Sequence, residues 1–344
     1  MIDWTKIKIK YPSNYDRLYV EHIIMNDSAQ FFQDYDQLVF ECDFELLFDY
    51  HSTKFYNAIV QRINQIYRCF PRKKYTTEHL CAQIFLEKVA NKDIKKHFEY
   101  QLYSFNIIFQ ETIKGIKEYL NNTPIGDIYK GEYLLFKTKF LKRIIWDVTA
   151  VVDYLEVFLK LKPGFEVGMN RSITGGDIAW FTNLLANGIV DYSNQAYFTT
   201  LSYLIRQSIE LRIKNALGIE EILNNNNPVK ITSDIFIDFI YKNKYITIPN
   251  LNTAIIRNIF KWCNIHIHMG ISLYVWQFFM AKNYIQPLFM DYRGSNGWHI
   301  SGAIRINKNY YQNDLKKDLM CFLSSHRHTV TEIILKDNPE AMLV

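Results

Sequence analysis

The feature that most constrains the fold is a long helical pattern in the first half of the chain. In residues 92–122, large apolar side chains recur at intervals of mostly three or four, the spacing that places them on one face of an α-helix. They are Ile94, Phe98, Phe105, Ile108, Phe109, Ile113 and Ile116. A helix this long with one apolar face buries that face against other elements, so the sequence predicts a mainly α-helical fold.

The same spacing predicts helices over most of the remaining chain. The predicted helical stretches are 76–91, 131–160, 177–190, 194–217, 231–242 and about 251–289. Residues 1–50 fit short strands and short helices equally well. The tail has a different character, with short alternating segments such as HISGAIRI (299–306). A helix at 309–323 and a strand at 328–335 are predicted there.

The glycine-rich segment KPGFEVGMNRSITGG (162–176) is the best candidate for a domain boundary. Its Gly-Gly pair does not indicate a phosphate-binding loop, because no GxxxxGK[ST] frame surrounds it. We therefore predict three parts: a mainly helical N-terminal domain (1–165), a helical bundle (166–290) and a short α/β tail (291–344).

Composition and charge bound the class of protein. Of the 344 residues, 49% are hydrophobic and 16% are aromatic, which is typical of a folded chain. The 40 Lys and Arg exceed the 35 Asp and Glu by five, a mild excess that permits a nucleic-acid partner without requiring one. One basic cluster has the composition of a phosphate contact but more often forms a solvated face. It comprises Lys137, Lys139, Lys142 and Arg143.

The cysteines and the apolar runs indicate a cytoplasmic protein outside the membrane. The five cysteines are widely spaced without a CxxC pair, which argues against a disulfide framework or a zinc cluster. The N-terminus has no apolar signal core. The most apolar run, IIWDVTAVVDYLEVFL (144–159), is interrupted by Asp147, Asp153 and Glu156, so it predicts a buried or amphipathic helix.

Residues 261–270, KWCNIHIHMG, fit two structures. As a strand, they would place Asn264, His266 and His268 on one face, as in many metal sites. As a helix, they would turn His266 and His268 in nearly opposite directions. The helix is favoured because apolar residues precede the histidines at three- or four-residue intervals. They are Ile255, Ile256, Ile259, Phe260, Cys263 and Ile267.

A polar stripe follows from the helical interpretation. At ~100° per residue, Arg257, Lys261, Asn264 and His268 fall within about 60° of one another, and His266 lies roughly opposite, toward the packed side. A lone histidine near a helix end is by default an ordinary polar residue. Here two cations, Arg257 and Lys261, and the amide of Asn264 lie on the same helix face as His268, which favours a functional site.

A second polar line lies in the helical stretch 193–219. Arg206, Glu210 and Lys214 follow one another at four-residue spacing, beside a buried stripe of Phe198, Leu201, Ile205, Ile209 and Ile213. Taken alone, this line is an ordinary surface ladder that stabilises a helix by a few tenths of a kcal/mol per pair.

Together the two helices resemble the HEPN superfamily, small helical-bundle domains of prokaryotic toxins, phage-defence proteins and RNA-processing factors. The resemblance depends on RQSIELRIKNALGI and KWCNIHIHMG and covers about 177–290, roughly a third of the chain. Catalytic members carry an Arg followed after four to six residues by a His, commonly with Asn or another polar residue directly after the Arg. Asn264 and His268 match the second half of that motif, whereas Cys263 stands where the Arg would be.

The resemblance implies metal-independent cleavage of RNA without a cofactor. His268 would be the general acid or base, and Arg206 or Arg257 would hold the phosphate. Asn264 would orient the scissile group and Glu210 would fix Arg206. Lys261 and Lys214 would contact the RNA. The resemblance also implies a homodimer, and a regulatory or antitoxin protein as a further partner.

Two other functions stay open on the sequence alone. One is a non-catalytic RNA-binding or protein-interaction module, which the cysteine at position 263 favours. The other is a metalloenzyme that uses His266 and His268 as an H-x-H pair, completed by His299, His326 or His328. The metalloenzyme requires the strand interpretation of residues 264–268.

Overall fold

A computed structural model describes most of the chain and confirms a mainly α-helical protein. The described residues are 48–68, 70–86, 89–123, 127–161, 195–229, 231–269, 271, 273–289, 291–292, 298–299 and 304–344. The predicted boundary segment 162–176 and the predicted helix 177–190 lie outside them, as does all of 1–47. The three-part division of the chain therefore stays a prediction.

The described part of the chain contains α-helices in the following order. They are α1 (Tyr56–Ile66), α2 (Thr77–Ile84), α3 (Ile94–Asn122), α4 (Asp127–Phe158), α5 (Gln195–Ala216), α6 (Ser233–Lys242), α7 (Thr253–Met269), α8 (Val275–Ile285), α9 (Lys308–Asn313) and α10 (Leu315–Ser325). A π-helical turn, Tyr50–Phe55, precedes α1, and 3-10 turns occupy Asn91–Asp93 and Gln286–Leu288.

The strands of the described residues are short, and those that the structure describes follow α5. They are β1 (Ile219–Asn224), β2 (Asn227–Pro228), β3 (Ile246–Thr247), β4 (Asp291–Tyr292), β5 (Trp298–His299), β6 (Arg305–Ile306), β7 (Glu332–Leu335) and β8 (Met342–Leu343). They form two three-stranded sheets, ordered β2-β1-β7 and β3-β6-β8, and the pair β4-β5. All pairings are antiparallel except β6 with β8.

Several predicted elements differ in extent from the structure. The predicted helix 76–91 ends at Ile84 as α2, and the predicted strand 328–335 is limited to β7, Glu332–Leu335. The helical stretch 251–289 is divided into α7 and α8, and α8 begins afresh at Val275, whose N–H donates to the Asp147 carboxylate at 2.8 Å. The predicted helix 309–323 is two helices, α9 and α10. The first is capped by Asn307, whose side chain accepts from the Tyr310 N–H at 3.0 Å.

The described residues divide into two compact units, each with its own core. The first takes its residues from Met1–Tyr75, Val89–Phe198 and Ser272–Gln277. The second takes its residues from Thr76–Lys88, Thr199–Ile271 and Phe278–Val344.

In the first unit, α3 packs along α4, and buried ionic groups accompany the apolar core. Arg143 and Asp147 pair at 3.2 Å within α4, with side chains 5% and 0% exposed. Glu156 is also buried and pairs with Arg62 of α1 at 2.5 Å. These partners explain how α4 buries two of the three acidic residues that interrupt its apolar run, Asp147 and Glu156. No helix among the described residues is long and apolar enough to cross a membrane.

The predicted basic cluster on α4 is only partly a solvated face. Arg143 is buried and forms an ion pair with Asp147. Lys137 lies over the rings of Tyr133 and Phe136, and burial lowers its pKa. Lys139 is exposed. The cluster therefore does not present four cations to one ligand.

In the second unit, a buried arginine ties the end of the chain to α5. The Arg212 Nε–H donates to the Leu288 carbonyl at 2.6 Å, and the guanidinium pairs with Glu340 at 3.3 Å. The sheet adds a second link, because β7 pairs with β1 in the register Ile222 to Ile333. These contacts fix the segment that carries Arg206 and Glu210 on the neighbouring turns of α5.

Candidate functional site

Helix α7 settles the ambiguity of residues 261–270. It runs unbroken from Thr253 to Met269, so residues 264–268 are helical and the strand interpretation is wrong. The side chain of Asn252 accepts from the Ala254 N–H at 2.9 Å and caps the start. The buried face consists of Ile255, Ile256, Ile259, Phe260, Trp262, Cys263 and His266.

His266 belongs to the packed side of α7, as predicted. It is 8% exposed, and its Nδ1 lies 2.8 Å from the Ile271 carbonyl oxygen. Because a carbonyl only accepts, Nδ1 carries the proton. The ring also meets Trp262 edge-on, with centroids 4.9 Å apart. These contacts give His266 a structural role.

Replacing His266 with alanine is expected to lower the free energy of unfolding by about 2–3 kcal/mol, because it leaves a cavity and strands the Ile271 carbonyl. Thermal unfolding followed by circular dichroism measures the change. The control is His268→Ala on the same helix, where an exposed ring is lost. Equal melting temperatures for the two variants would contradict the placement of His266 in the core.

The opposite face of α7 is the predicted polar stripe. Arg257, Lys261 and Asn264 are half-buried, and His268 is exposed. Within the part of the chain that the structure describes, His268 has no hydrogen bond or ion pair. The Asn264 Oδ1 atom is buried and has no hydrogen-bond partner among the described residues. Several other buried side-chain atoms of the described residues also lack a partner, the Asn224 Oδ1 atom among them, so this atom does not by itself mark a ligand site.

Arg257 is engaged elsewhere. Its guanidinium forms an ion pair with Asp238 of α6, at the end of the stripe farthest from His268. Sequence reasoning missed Asp238, because a pair between two helices leaves no spacing pattern. Arg257 is therefore a link between α6 and α7, and its charge is already balanced.

Arg206 of α5 lies against α7. Its guanidinium carbon is 5.3 Å from the centroid of the Phe260 ring, a cation–π contact. Burial raises the pKa of the Cys263 thiol, and the charge of Arg206 opposes that rise, so the two side chains are close. Phe260 and Asn264 are one turn apart and about 40° apart around the helix. Arg206 thus borders the polar stripe on the side of Asn264.

Glu210 and Lys214 continue the line from Arg206 toward α6. Burial acts to raise the pKa of Glu210, but hydrogen bonds from Ser233 and Lys214 and the charges of Lys214 and Arg206 outweigh it, so the pKa is lowered. Lys214 Nζ lies 3.2 Å from Glu210 and over the ring of Phe236. The ladder is therefore a partly buried network and not a solvated one.

A groove of about 270 Å³ runs beside this network on α5. Its described lining includes Tyr203, Arg206 and Glu210, with Gln207 and Leu211 between them. The groove places one cation and one carboxylate at a concave surface, while Asn264 and His268 stay on α7. Lys261, between Arg257 and Asn264, is half-buried on the same stripe.

The metal alternative loses its geometric basis. With 264–268 helical, His266 is buried and His268 is exposed, so the two do not form one ligand pair. Among the residues that the structure describes, no group of three or more His, Cys, Asp or Glu could hold a metal ion. The side chain of His299 lies outside the described part.

The chain has no match among family models, curated proteins or solved structures. The functional assignment therefore depends on the geometry of α5 and α7 alone. The resemblance to the HEPN superfamily stays a prediction.

Proposed function

We propose that the protein is a metal-independent endoribonuclease of HEPN type, acting as a toxin or in phage defence, with its site on the polar stripe of α7 and the adjoining turn of α5. One observation carries the proposal. His268 is exposed without a described partner, on the same face of α7 as Asn264. The ring of His268 is thus accessible to a substrate, and Asn264 lies one helical turn from it.

The chemistry is an attack of the ribose 2′-oxygen on the adjacent phosphorus. The P–O bond to the 5′-oxygen breaks, which leaves a 2′,3′-cyclic phosphate and a free 5′-hydroxyl. A base takes the 2′-hydroxyl proton and an acid protonates the departing 5′-oxygen. Histidine titrates in the range that suits both roles. A homodimer with facing sites would supply one His268 for each.

Arg206 fits the phosphate next to the scissile one. Eight residues separate Phe260 from His268, which is about 12 Å along a helix axis. Because the Arg206 guanidinium lies on Phe260, it and His268 do not reach one phosphate together. Asn264, one turn from each, would orient the linkage between them. Glu210 pairs with Lys214 and would act on Arg206 only through its charge.

A second, non-catalytic function is favoured by the distance between Arg206 and His268 and by the cysteine at position 263. Where catalytic HEPN members place an arginine, this chain has a fully buried thiol whose pKa is raised by burial. Without a cation at the scissile phosphate, the stripe would bind RNA or a protein without cleaving it. Lys261 and Lys214 would then contribute to binding only. A regulatory or antitoxin protein is proposed as a partner in either case.

The test that separates cleavage from binding uses purified protein and an end-labelled RNA in excess EDTA. Because histidine and arginine need no metal, cleavage is expected to persist and to leave 2′,3′-cyclic phosphate ends, detected by mass spectrometry. The same RNA with a 2′-O-methyl group on every ribose is the control and is expected to stay intact. Cleavage that EDTA abolishes and zinc or magnesium restores would overturn the proposal. Binding without cleavage would support the non-catalytic module.

A further inference from the structure

A second basic surface lies in the first unit, at the start of α3. A cleft of about 450 Å³ is lined there by five cations and one carboxylate. They are Arg68, Lys73, Lys92, Lys95, Lys96 and Glu99. We call it the basic cleft. It is assembled from the end of α1, the segment after it, and the first turns of α3.

The fold holds the two sides of the basic cleft together and uses only one of its five cations, Lys73, to do so. The Tyr67 hydroxyl donates to the Lys95 carbonyl at 2.5 Å, and burial raises the pKa of Tyr67, which keeps it a neutral donor. Phe70 and Tyr75 both meet the ring of Tyr103 on α3, with centroids 5.0 and 4.9 Å apart. Aromatic packing, one hydrogen bond and one ion pair therefore fix the backbone that presents the cations.

Most of the charge in the basic cleft is uncompensated. Lys73 pairs with Glu99 at 2.7 Å. Arg68, Lys92, Lys95 and Lys96 are exposed and have no ion pair with any residue that the structure describes. Lys95 lies over the Tyr67 ring at 5.7 Å, which holds its stem in place. Like charges this close repel one another, so an anion bound among them would gain from all four.

The character of the lining favours a nucleic-acid strand over an acidic protein. Protein interfaces depend on apolar or aromatic anchors at their centre. Here the apolar lining residues, Ile66 and Tyr67, are buried, and the exposed described residues are cations. The affinity for a ligand in this cleft would come from charge alone. Binding of proteins to a sugar-phosphate backbone depends on charge in the same way. Lys92 lies in the 3-10 turn before α3, and Lys95 and Lys96 lie in the first turn of α3, so the cations are spread along the cleft and can meet successive charges of an extended ligand.

We infer that the basic cleft binds the sugar-phosphate backbone of a nucleic acid. The inference concerns the first unit and does not depend on the proposed cleavage at α7. Sequence reasoning passed over this surface, because the two runs that form it, RKK (72–74) and KDIKK (92–96), are short and lie about twenty residues apart.

The experiment measures binding of fluorescent single strands of about 12 nucleotides by anisotropy over a range of salt concentrations. One arm uses 2′-O-methyl oligouridine, which cannot be cleaved through its 2′-oxygen, and the other uses DNA of equal length. The variant Lys92→Ala/Lys96→Ala removes two unpaired cations. The matched control, Lys114→Ala/Lys117→Ala, removes two exposed lysines from the same α3, away from the basic cleft.

Loss of two phosphate contacts is expected to weaken binding about 25-fold at 0.1 M salt, and to reduce the salt slope of log K by about 1.4. The control is expected to bind like the wild type. Equal weakening in both variants, or none in the Lys92/Lys96 variant, would overturn the inference. Polyglutamate serves as a probe for an acidic protein. The inference would also be overturned if the Lys92/Lys96 variant lost binding of polyglutamate but still bound the nucleic-acid strands. Tighter binding of either the 2′-O-methyl oligouridine or the DNA would show which sugar the basic cleft prefers. It would leave the location of the site unchanged.

Discussion

Replacement of Asp147 by alanine is expected to lower the free energy of unfolding of the first unit by about 3–5 kcal/mol. Asp147 is fully buried in α4 and neutralises Arg143, whose side chain is 5% exposed. It also accepts the N–H of Val275 at the start of α8. Removal of the carboxylate takes away the ion pair of a buried cation and the acceptor of the Val275 N–H, and both losses are costly in a low-dielectric interior.

Urea unfolding of the wild type and the variants measures the effect. The double variant Arg143→Met/Asp147→Leu is expected to be more stable than Asp147→Ala, because it removes both charges and refills the space. The control is Glu118→Ala, which breaks the exposed pair with Lys114 at 3.6 Å and is expected to cost less than about 1 kcal/mol. Equal losses for Asp147→Ala and Glu118→Ala would contradict the buried ion pair.

The helices with the clearest apolar period could be predicted from the sequence to within a few residues. The stretch 92–122 becomes α3, and 194–217 becomes α5. The reason is that a periodic apolar face specifies a helix locally, whatever lies opposite it. The break after α7 was not predictable in this way, because the group that starts α8 anew is Asp147, more than a hundred residues earlier.

The candidate site was predictable only where one helix defines it. The positions of Asn264, His266 and His268 follow from helical geometry and agree with the structure. Whether Arg206 and Arg257 can bind a phosphate does not follow from helical geometry. Arg257 looked like a phosphate ligand but pairs with Asp238, and Arg206 is held by Phe260 through a contact between helices. Such tertiary partners decide whether a cation is free, and no spacing rule reports them.

The histidine at the centre of the proposal can be removed without damage to the fold. His268 is exposed and has no described hydrogen-bond partner, so His268→Ala is expected to leave the melting temperature unchanged. Loss of a proton-transfer group costs about 10²–10⁴-fold in rate. His326→Ala is the matched control, since His326 is an exposed histidine of the same unit, at the end of α10.

The rate of RNA cleavage by these variants, measured in a single turnover with EDTA present, tests whether His268 is a proton-transfer group. We predict that His268→Ala cleaves at least about a hundredfold more slowly than the wild type at an unchanged melting temperature, while His326→Ala keeps the full rate. A His268→Ala variant that cleaves RNA at the wild-type rate, or that loses activity only as its melting temperature falls, would contradict it.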